Sequence, residues 1–286
     1  MDAKGKKQPR RLLPALAALT ALGAAVWLGN CTVRTTHCRL ESSRLPAAFS
    51  GLRIAQLSDL HGAVFGAGNC RLLDAVRAAK PDLITLTGDL ADDAADLPML
   101  SELLPALTAI APVYYVTGNH EWVMDAASRK SLFSLLESAG VTYLRNSYCI
   151  LRRGDAKLIL AGVDDPNGPA DQKTPAALLR QIRAAEGEEN YILMLAHRND
   201  RLALWASLGV DTVLSGHAHG GIVRLPLLGP VFGTHYELFP KDAEGVYRKG
   251  HTTLFVSRGL GQSRRLPVRV GNPPELALIE LVRPQT

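Results

Sequence analysis

What this 286-residue chain lacks narrows it first. Its four cysteines, Cys31, Cys38, Cys70 and Cys149, form no C-x-x-C pair, so the spacing of a zinc–thiolate site is missing. There is no internal repeat, no low-complexity segment and no second linker, and one domain is the simplest count. A composition 47% hydrophobic and 21% charged excludes the disordered and collagen-like classes. A basic folded surface is missing too. Residues 1–11 carry Lys4, Lys6, Lys7, Arg10 and Arg11 against Asp2, a net +4, so of the overall +5 only +1 remains for the rest of the chain. Nucleic-acid binders spread positive charge over their folded surface, and no nucleic-acid partner is expected here.

The basic tail precedes residues 12–29, an uncharged run of Leu, Ala, Val and Trp27. As a helix it would extend about 27 Å, close to a bilayer core. No A-x-A cleavage site stands near Gly29 and Asn30, which favours an uncleaved anchor over a removed signal peptide. Arg10 and Arg11 before Leu12 and Leu13 loosely match a twin-arginine export signal. Five Lys/Arg before the run, against Arg34, Arg39 and Arg44 after it, orient the remainder outside the cytoplasm. The expected organisation is a tail and membrane anchor at 1–30, a polar linker at 31–48 and a catalytic domain at 49–286. Cys31 and Cys38 could pair in an oxidising compartment, although isolated cysteines mostly pack as small hydrophobes.

From Phe49 onward short apolar runs alternate with helical patterns, the signature of an α/β fold. Strands are expected at 52–57, 83–87, 113–117, 150–152, 157–161, 191–195, 210–214, 252–256 and 276–281. A hairpin is expected at Gly154 and Asp155. Helices are expected at 71–80, 97–110, 128–139, 174–185 and 200–208, with Ser128 capping the third and Gly140 stopping it.

Five of these strands run into polar, chemically capable residues. They lead to Asp59 and His61, Gly88 and Asp89, Gly118 to Glu121, His197, and the run Gly216 to Gly221 containing His217 and His219. Ligands in open α/β sheets bind at the carboxyl ends of the strands, which gathers these segments on one edge. Carboxylates with imidazoles and no thiolate suit Mn, Fe or Zn better than Ca. Two carboxylates leave two divalent cations with surplus positive charge, suited to an activated water and an incoming phosphate. Five of the chain's eight histidines follow strand ends in this way; His37, His235 and His251 do not, and read as ordinary structural residues.

The ordered series Asp59-x-His61, Gly88-Asp89, Gly118-Asn119-His120-Glu121, His197 and Gly216-His217-x-His219 resembles the calcineurin-like metallophosphoesterase superfamily, in its membrane-anchored branch. The resemblance implies a four-layer α/β/β/α sandwich behind the transmembrane anchor helix. It implies two divalent metal ions, the first on Asp59, His61 and His219, the second on Asn119, His197 and His217, with Asp89 bridging. His120 would be the outer-sphere catalytic group and Glu121 would orient it or a neighbouring ligand. The implied activity is hydrolysis of a phosphodiester or pyrophosphate, including a lipid-linked one such as UDP-2,3-diacylglucosamine. Arg198-Asn199-Asp200 stands where the branch has Asn-Pro-Asp, Ala218 where Thr is frequent, and Ile222 where Gln is frequent; none is an implied ligand.

Other polar groups carry less. Asp92, Asp93 and Asp96 read as a solvated loop and helix start. Asp164 and Asp165 read as a loop, or as part of the cleft rim. Arg258, Arg264, Arg265 and Arg269 read equally as a solvated loop or as phosphate-contacting arginines, with Arg264 or Arg265 placed at an anionic headgroup. A metallo-β-lactamase-type hydrolase would need H-x-H-x-D-H, which His217-Ala218-His219-Gly220 does not continue. The remaining rival is a non-catalytic membrane-tethered metal-binding or sensory module.

Overall fold

The central β-strands carry nearly unbroken apolar runs because both of their faces are buried. In the computed structural model, which describes residues 20, 23, 26, 29–234, 236–262 and 268–285, the strands are β1 Arg34–Glu41, β2 Leu52–Leu57, β3 Leu83–Thr87, β4 Val113–Val116, β5 Thr142–Tyr143, β6 Ser147–Arg153, β7 Ala156–Val163, β8 Ile192–Ala196, β9 Thr212–Ser215, β10 Val223–Leu225, β11 Gly229–Phe232, β12 Gly245–Lys249, β13 Thr252–Val256 and β14 Glu275–Val282. The helices are α1 Cys70–Ala79, α2 Leu97–Thr108, α3 Asn119–Val123, α4 Ala126–Ser138, α5 Pro175–Glu186 and α6 Leu202–Ser207.

Two six-stranded mixed sheets form, ordered β1-β14-β2-β3-β4-β5 and β12-β13-β9-β8-β7-β6, beside a small β10–β11 hairpin. Three separate apolar layers hold them. Leu276 and Leu278 of β14 face a core shared with α1, α2 and α4, while Ala277, Ile279 and Leu281 of the same strand face the layer between the sheets. In β7, Leu158 and Leu160 enter that central layer, while Ile159 and Ala161 pack outward with Leu178, Leu179 and Ile182 of α5 and Trp205 of α6. The period-two alternation thus sorts each strand's side chains into two cores, stacking helix, sheet, sheet and helix.

The expected strands and helices form with ends shifted by up to three residues, and the β6–β7 hairpin turns at Gly154 and Asp155 as read. Other expectations change. The segment read as a polar linker holds β1, which pairs in parallel with β14 along Arg34–Glu41. Its sequence looked like a connector because an edge strand needs little apolar surface; only Leu40 is buried. The five site-bearing strands do not share one sheet edge: β2, β3 and β4 belong to the first sheet, β8 and β9 to the second. The α4 helix is capped by Asp125 rather than Ser128, the Asp125 carboxylate accepting from the amides of Ala127 and Ser128. All four cysteines are free. Among the described residues no helix is long and apolar enough to cross a membrane, and the anchor expected at 12–29 lies almost wholly outside them.

The central layer carries the load of joining the sheets. Ile279→Ala, at a fully buried position there, is expected to cost about 2–5 kcal/mol in urea denaturation, with an unchanged m-value.

Candidate metal centre

The strand ends of the two sheets meet through backbone and side-chain hydrogen bonds before any ligand is considered. Gln56 of β2 donates to the Thr87 hydroxyl in its own sheet and to the Ser215 carbonyl in the other. The Asp59 amide donates to the Gly88 carbonyl, the His61 amide to the Asp89 carbonyl, and the His217 amide to the Asp59 carboxylate at 3.0 and 3.1 Å. At two of the motif glycines there is no room for a side chain. A Cβ on Gly88, at φ +87°, would run into the Gly118 backbone, and one on Gly216 into Ser58 and the Asp59 carboxylate.

This lacing turns the side chains inward. Three groups gather donor atoms close enough to share a cation: Asp59, His61 and His219; Asp89, His197 and His217; and His61, Asp89 and His120. Oδ2 of Asp89 lies 3.2 Å from His197 Nε2, 3.8 Å from His61 Nε2 and 4.0 Å from His120 Nε2. Asn119 presents Oδ1 3.2 Å from His197 Nε2, and His217 Nδ1 stands 3.1 Å from the same nitrogen. On the other side His61 Nε2 and His219 Nε2 face each other at 3.3 Å, with Asp59 Oδ1 3.6 Å from His219. All seven residues expected as ligands are therefore together, one cluster around Asp59 and one around Asp89, linked through His61, which stands 3.8 Å from Asp89.

Five of the seven, Asp59, His61, Asp89, His217 and His219, adopt left-handed φ angles between +45° and +72°. That conformation is costly for non-glycine residues and persists only where surrounding contacts impose it, a frequent mark of functional sites.

The electrostatics favour cation binding. Burial alone would raise the Asp89 carboxyl, yet the imidazoles of His197, His61 and His120 hold it well below the usual carboxylate range. His197 is carried up to about 10, the nearby Asp89 carboxylate overcoming the burial that opposes its charge. His217 is pushed down to about 3 by burial, His197 and Arg198. His219 falls to about 3 because burial, aided by His61 and Arg269, outweighs the pull of Asp59. Both are thus held neutral, the form that ligates metals.

The outer nitrogens supply a further test of fit. His197 Nδ1 donates to the Thr87 carbonyl at 2.8 Å and His61 Nδ1 to Asp92 Oδ1 at 2.6 Å, which directs each Nε2 into the centre, where a cation would displace the proton that the Asp89 carboxylate keeps on His197. His217 and His219 instead meet arginines, Arg198 at 3.0 Å and Arg269 at 3.3 Å. A cation held on the inner nitrogen would require the proton on the outer one, so binding it would replace these two arginine hydrogen bonds. With two carboxylates, one amide oxygen, four imidazoles and no thiol, the donor set fits borderline divalent cations.

Several second-row residues escaped the sequence reading. Asp92 is no solvated loop residue: its Oδ1 also accepts from His120 Nδ1 at 2.7 Å, so one carboxylate orients a cluster imidazole and the neighbouring His120. Its place three residues after Asp89 was the available signal. Asp93 and Asp96 form the capping box of the turn before α2. Glu121, read as orienting His120 or a neighbouring ligand, takes the second role: it is fully buried and accepts from the amides of Asp89, Leu90 and Gly118, locking the loops that carry Asp89 and Asn119. Burial and Asp89 push it up to about 7. Asp165 is buried and forms a forked pair with Arg198, 2.6 and 3.2 Å, and with Asp164 it lines a neighbouring cavity of about 250 Å³. Arg269 is buried and donates to the carbonyls of Gly261 and Arg258, while Arg258 pairs with Glu275. Arg264, Arg265 and His235 lie outside the described residues. His37, on β1, and His251, in the β12–β13 turn, stand outside the clusters, as expected.

The centre opens into a cleft of about 310 Å³ lined by Asp89, Asn119, His120, His217, His219 and Arg269, with Val123, Ile222, Tyr236 and Val268 on its walls.

Comparison with known proteins agrees with this geometry. The family described as calcineurin-like phosphoesterase matches residues 52–221. The uncharacterized metallophosphoesterase YkuE of Bacillus subtilis is 30% identical over 93% of this chain and 93% of its own. The phosphodiesterase YaeI of Escherichia coli is 29% identical over 71% of each. A Danio rerio transmembrane protein with metallophosphoesterase domain is 30% identical over 92% of this chain and 61% of its own.

Because Asp92 fixes two imidazoles at once, Asp92→Asn should weaken Mn(II) binding about 10- to 100-fold in titration calorimetry, whereas Asp125→Asn, at the exposed α4 cap, should leave it unchanged.

Proposed function

The chain belongs to the calcineurin-like phosphoesterase family and is a metal-dependent phosphoesterase using two divalent cations, and from this premise we propose that it hydrolyses phosphodiesters in the cleft above Asp89. The observation carrying the proposal is that Asp89 Oδ2 stands between imidazoles of both clusters, at 3.2 Å from His197 and 3.8 Å from His61. Asp59, His61 and His219 would hold one cation, Asn119, His197 and His217 the other, and Asp89 both. Such a pair, when bound, supplies an activated water at neutral pH and neutralises charge on the phosphoryl oxygens.

The chain's own residues do the remainder. Asp59, Asp89 and the imidazoles define where the phosphoryl group must sit, an entropic contribution fixed before substrate arrives. His120 stands at the cleft, a third exposed, with Nδ1 committed to Asp92 and Nε2 directed to the centre. In that pose it gives a proton to the departing oxygen through Nε2. Burial disfavours its charge, but Asp92 and Asp89 raise its pKa above the ordinary histidine value, so it stays protonated to higher pH. The diester preference takes support from the Escherichia coli relative, which is named a phosphodiesterase. The apolar walls of the cleft and the apolar run at 12–29 support a lipid-linked diester or pyrophosphate.

Turnover of bis-p-nitrophenyl phosphate with Mn(II) tests the assignment. Asp89→Ala and chelation by EDTA should bring the rate to background, and His120→Ala should lower kcat about 10²- to 10⁴-fold. Rates equal to wild type in both variants would overturn it. In the pH–rate profile, activity should fall as pH rises through the raised His120 pKa, and Asp92→Asn should move that alkaline limb to lower pH.

A further inference from the structure

Large exposed apolar side chains are not scattered over this protein. Of the ten among the described residues, six fall between positions 225 and 239: Leu225, Leu227, Leu228, Tyr236, Leu238 and Phe239. Leu227 is completely exposed at the β10–β11 tip, and Leu238 and Phe239 are 73% and 64% exposed. Phe232 bridges to Leu238, and Val223 bridges to Val270, two residues beyond exposed Val268, so the hairpin, the segment after it and the stretch at 268–270 form one surface. A contiguous apolar surface of this kind marks an interaction site.

Two observations identify what it meets. The surface runs into the cleft, because Tyr236 and Val268 are both exposed apolar residues and cleft-wall residues. The uncharged run 12–29 also ends against it. The Asn30 side chain accepts from Gln262 Nε2 at 2.7 Å and from the Arg269 amide at 3.2 Å, and donates to the Arg269 carbonyl at 2.9 Å. Gln262 and Arg269 line the same cleft. A polar staple therefore ties the end of a bilayer-length apolar segment to the cleft rim, beside the hairpin.

We propose that the β10–β11 hairpin, with Leu227, Leu228, Leu238 and Phe239, docks on a lipid bilayer surface and holds the mouth of the cleft at the plane of the lipid headgroups. The phosphoester to be cleaved is then presented from the membrane, its apolar part remaining in the bilayer while the phosphate enters along Tyr236 and Val268. This substrate presentation rests on the phosphodiesterase reading; the docking itself does not.

The full-length chain is reconstituted into phosphatidylcholine–phosphatidylglycerol vesicles with ordinary or brominated acyl chains. The added emission of Leu227→Trp and of Phe239→Trp, relative to the parent protein, should drop by about half or more in brominated vesicles, the depth expected of an interfacial segment. Asp155→Trp, in the exposed turn between β6 and β7, should show no quenching. Quenching of Leu227→Trp no greater than that of Asp155→Trp overturns the docking, including the case in which a second copy of the chain covers the hairpin instead. Combining Leu227→Asp with Leu228→Asp should slow a long-chain alkyl p-nitrophenyl phosphodiester embedded in the vesicles about tenfold, through lost interfacial affinity, and leave soluble bis-p-nitrophenyl phosphate within about twofold. Equal effects on both substrates overturn the presentation role. A wild type inactive on both would instead remove the phosphodiesterase reading, and the quenching result would still decide the docking.

Discussion

Asp89 is a fully buried carboxylate held from both sheets of the molecule at once. Its Oδ1 accepts from the His120 amide at 2.8 Å, and its Oδ2 faces His197 from one sheet and His61 from the other. Its own amide is held by Glu121, which also grips the amides of Leu90 and Gly118. A charge buried this deeply is tolerable only with compensating positive charge and hydrogen bonds. Imidazoles provide that compensation in the polypeptide, and divalent cations provide it more fully. The architecture is thus biased toward binding metal by the cost of the alternative.

The same constraint accounts for the backbone. Bringing side chains from five strand ends to one point requires sharp turns, and after three of those strands, β2, β3 and β9, the ligand residues Asp59, His61, Asp89, His217 and His219 turn through the left-handed region. Neighbouring glycines let the turns pack backbone against backbone, as Gly88 does on Gly118. The conformational cost of these turns is offset by burial in three apolar layers far larger than the site. The hairpin and the segments around it follow an opposite logic. They leave large apolar side chains in solvent next to the cleft, which a folded chain tolerates only where another surface covers them.

Much of this was legible in the linear chain. Apolar runs ending in Asp, Asn or His gave the strands and the polar groups at their ends, because a buried strand needs continuous apolar residues, and the resemblance carried by those motifs gave the seven ligand candidates. Local pairing rules gave the β6–β7 turn. Edge strand β1 was invisible because its pairing with β14 depends on backbone groups rather than on apolar side chains. Asp92 was misread, and Arg269 left open between a solvated loop and the cleft, because a charged side chain in a loop looks the same whether it faces water or an imidazole.

Residue type, spacing and the family resemblance they carry therefore pointed to the groups placed to bind cations and to a fold alternating strand and helix, since motifs and apolar runs are short-range properties of the chain. Only the tertiary structure decided that the strands divide between two sheets, that Asp89 lies between their two clusters, and that Asp92 serves His61 and His120 together. These are distances between groups far apart in sequence. They are set by how alternate faces of each strand partition among three cores, and no local pattern encodes that partition.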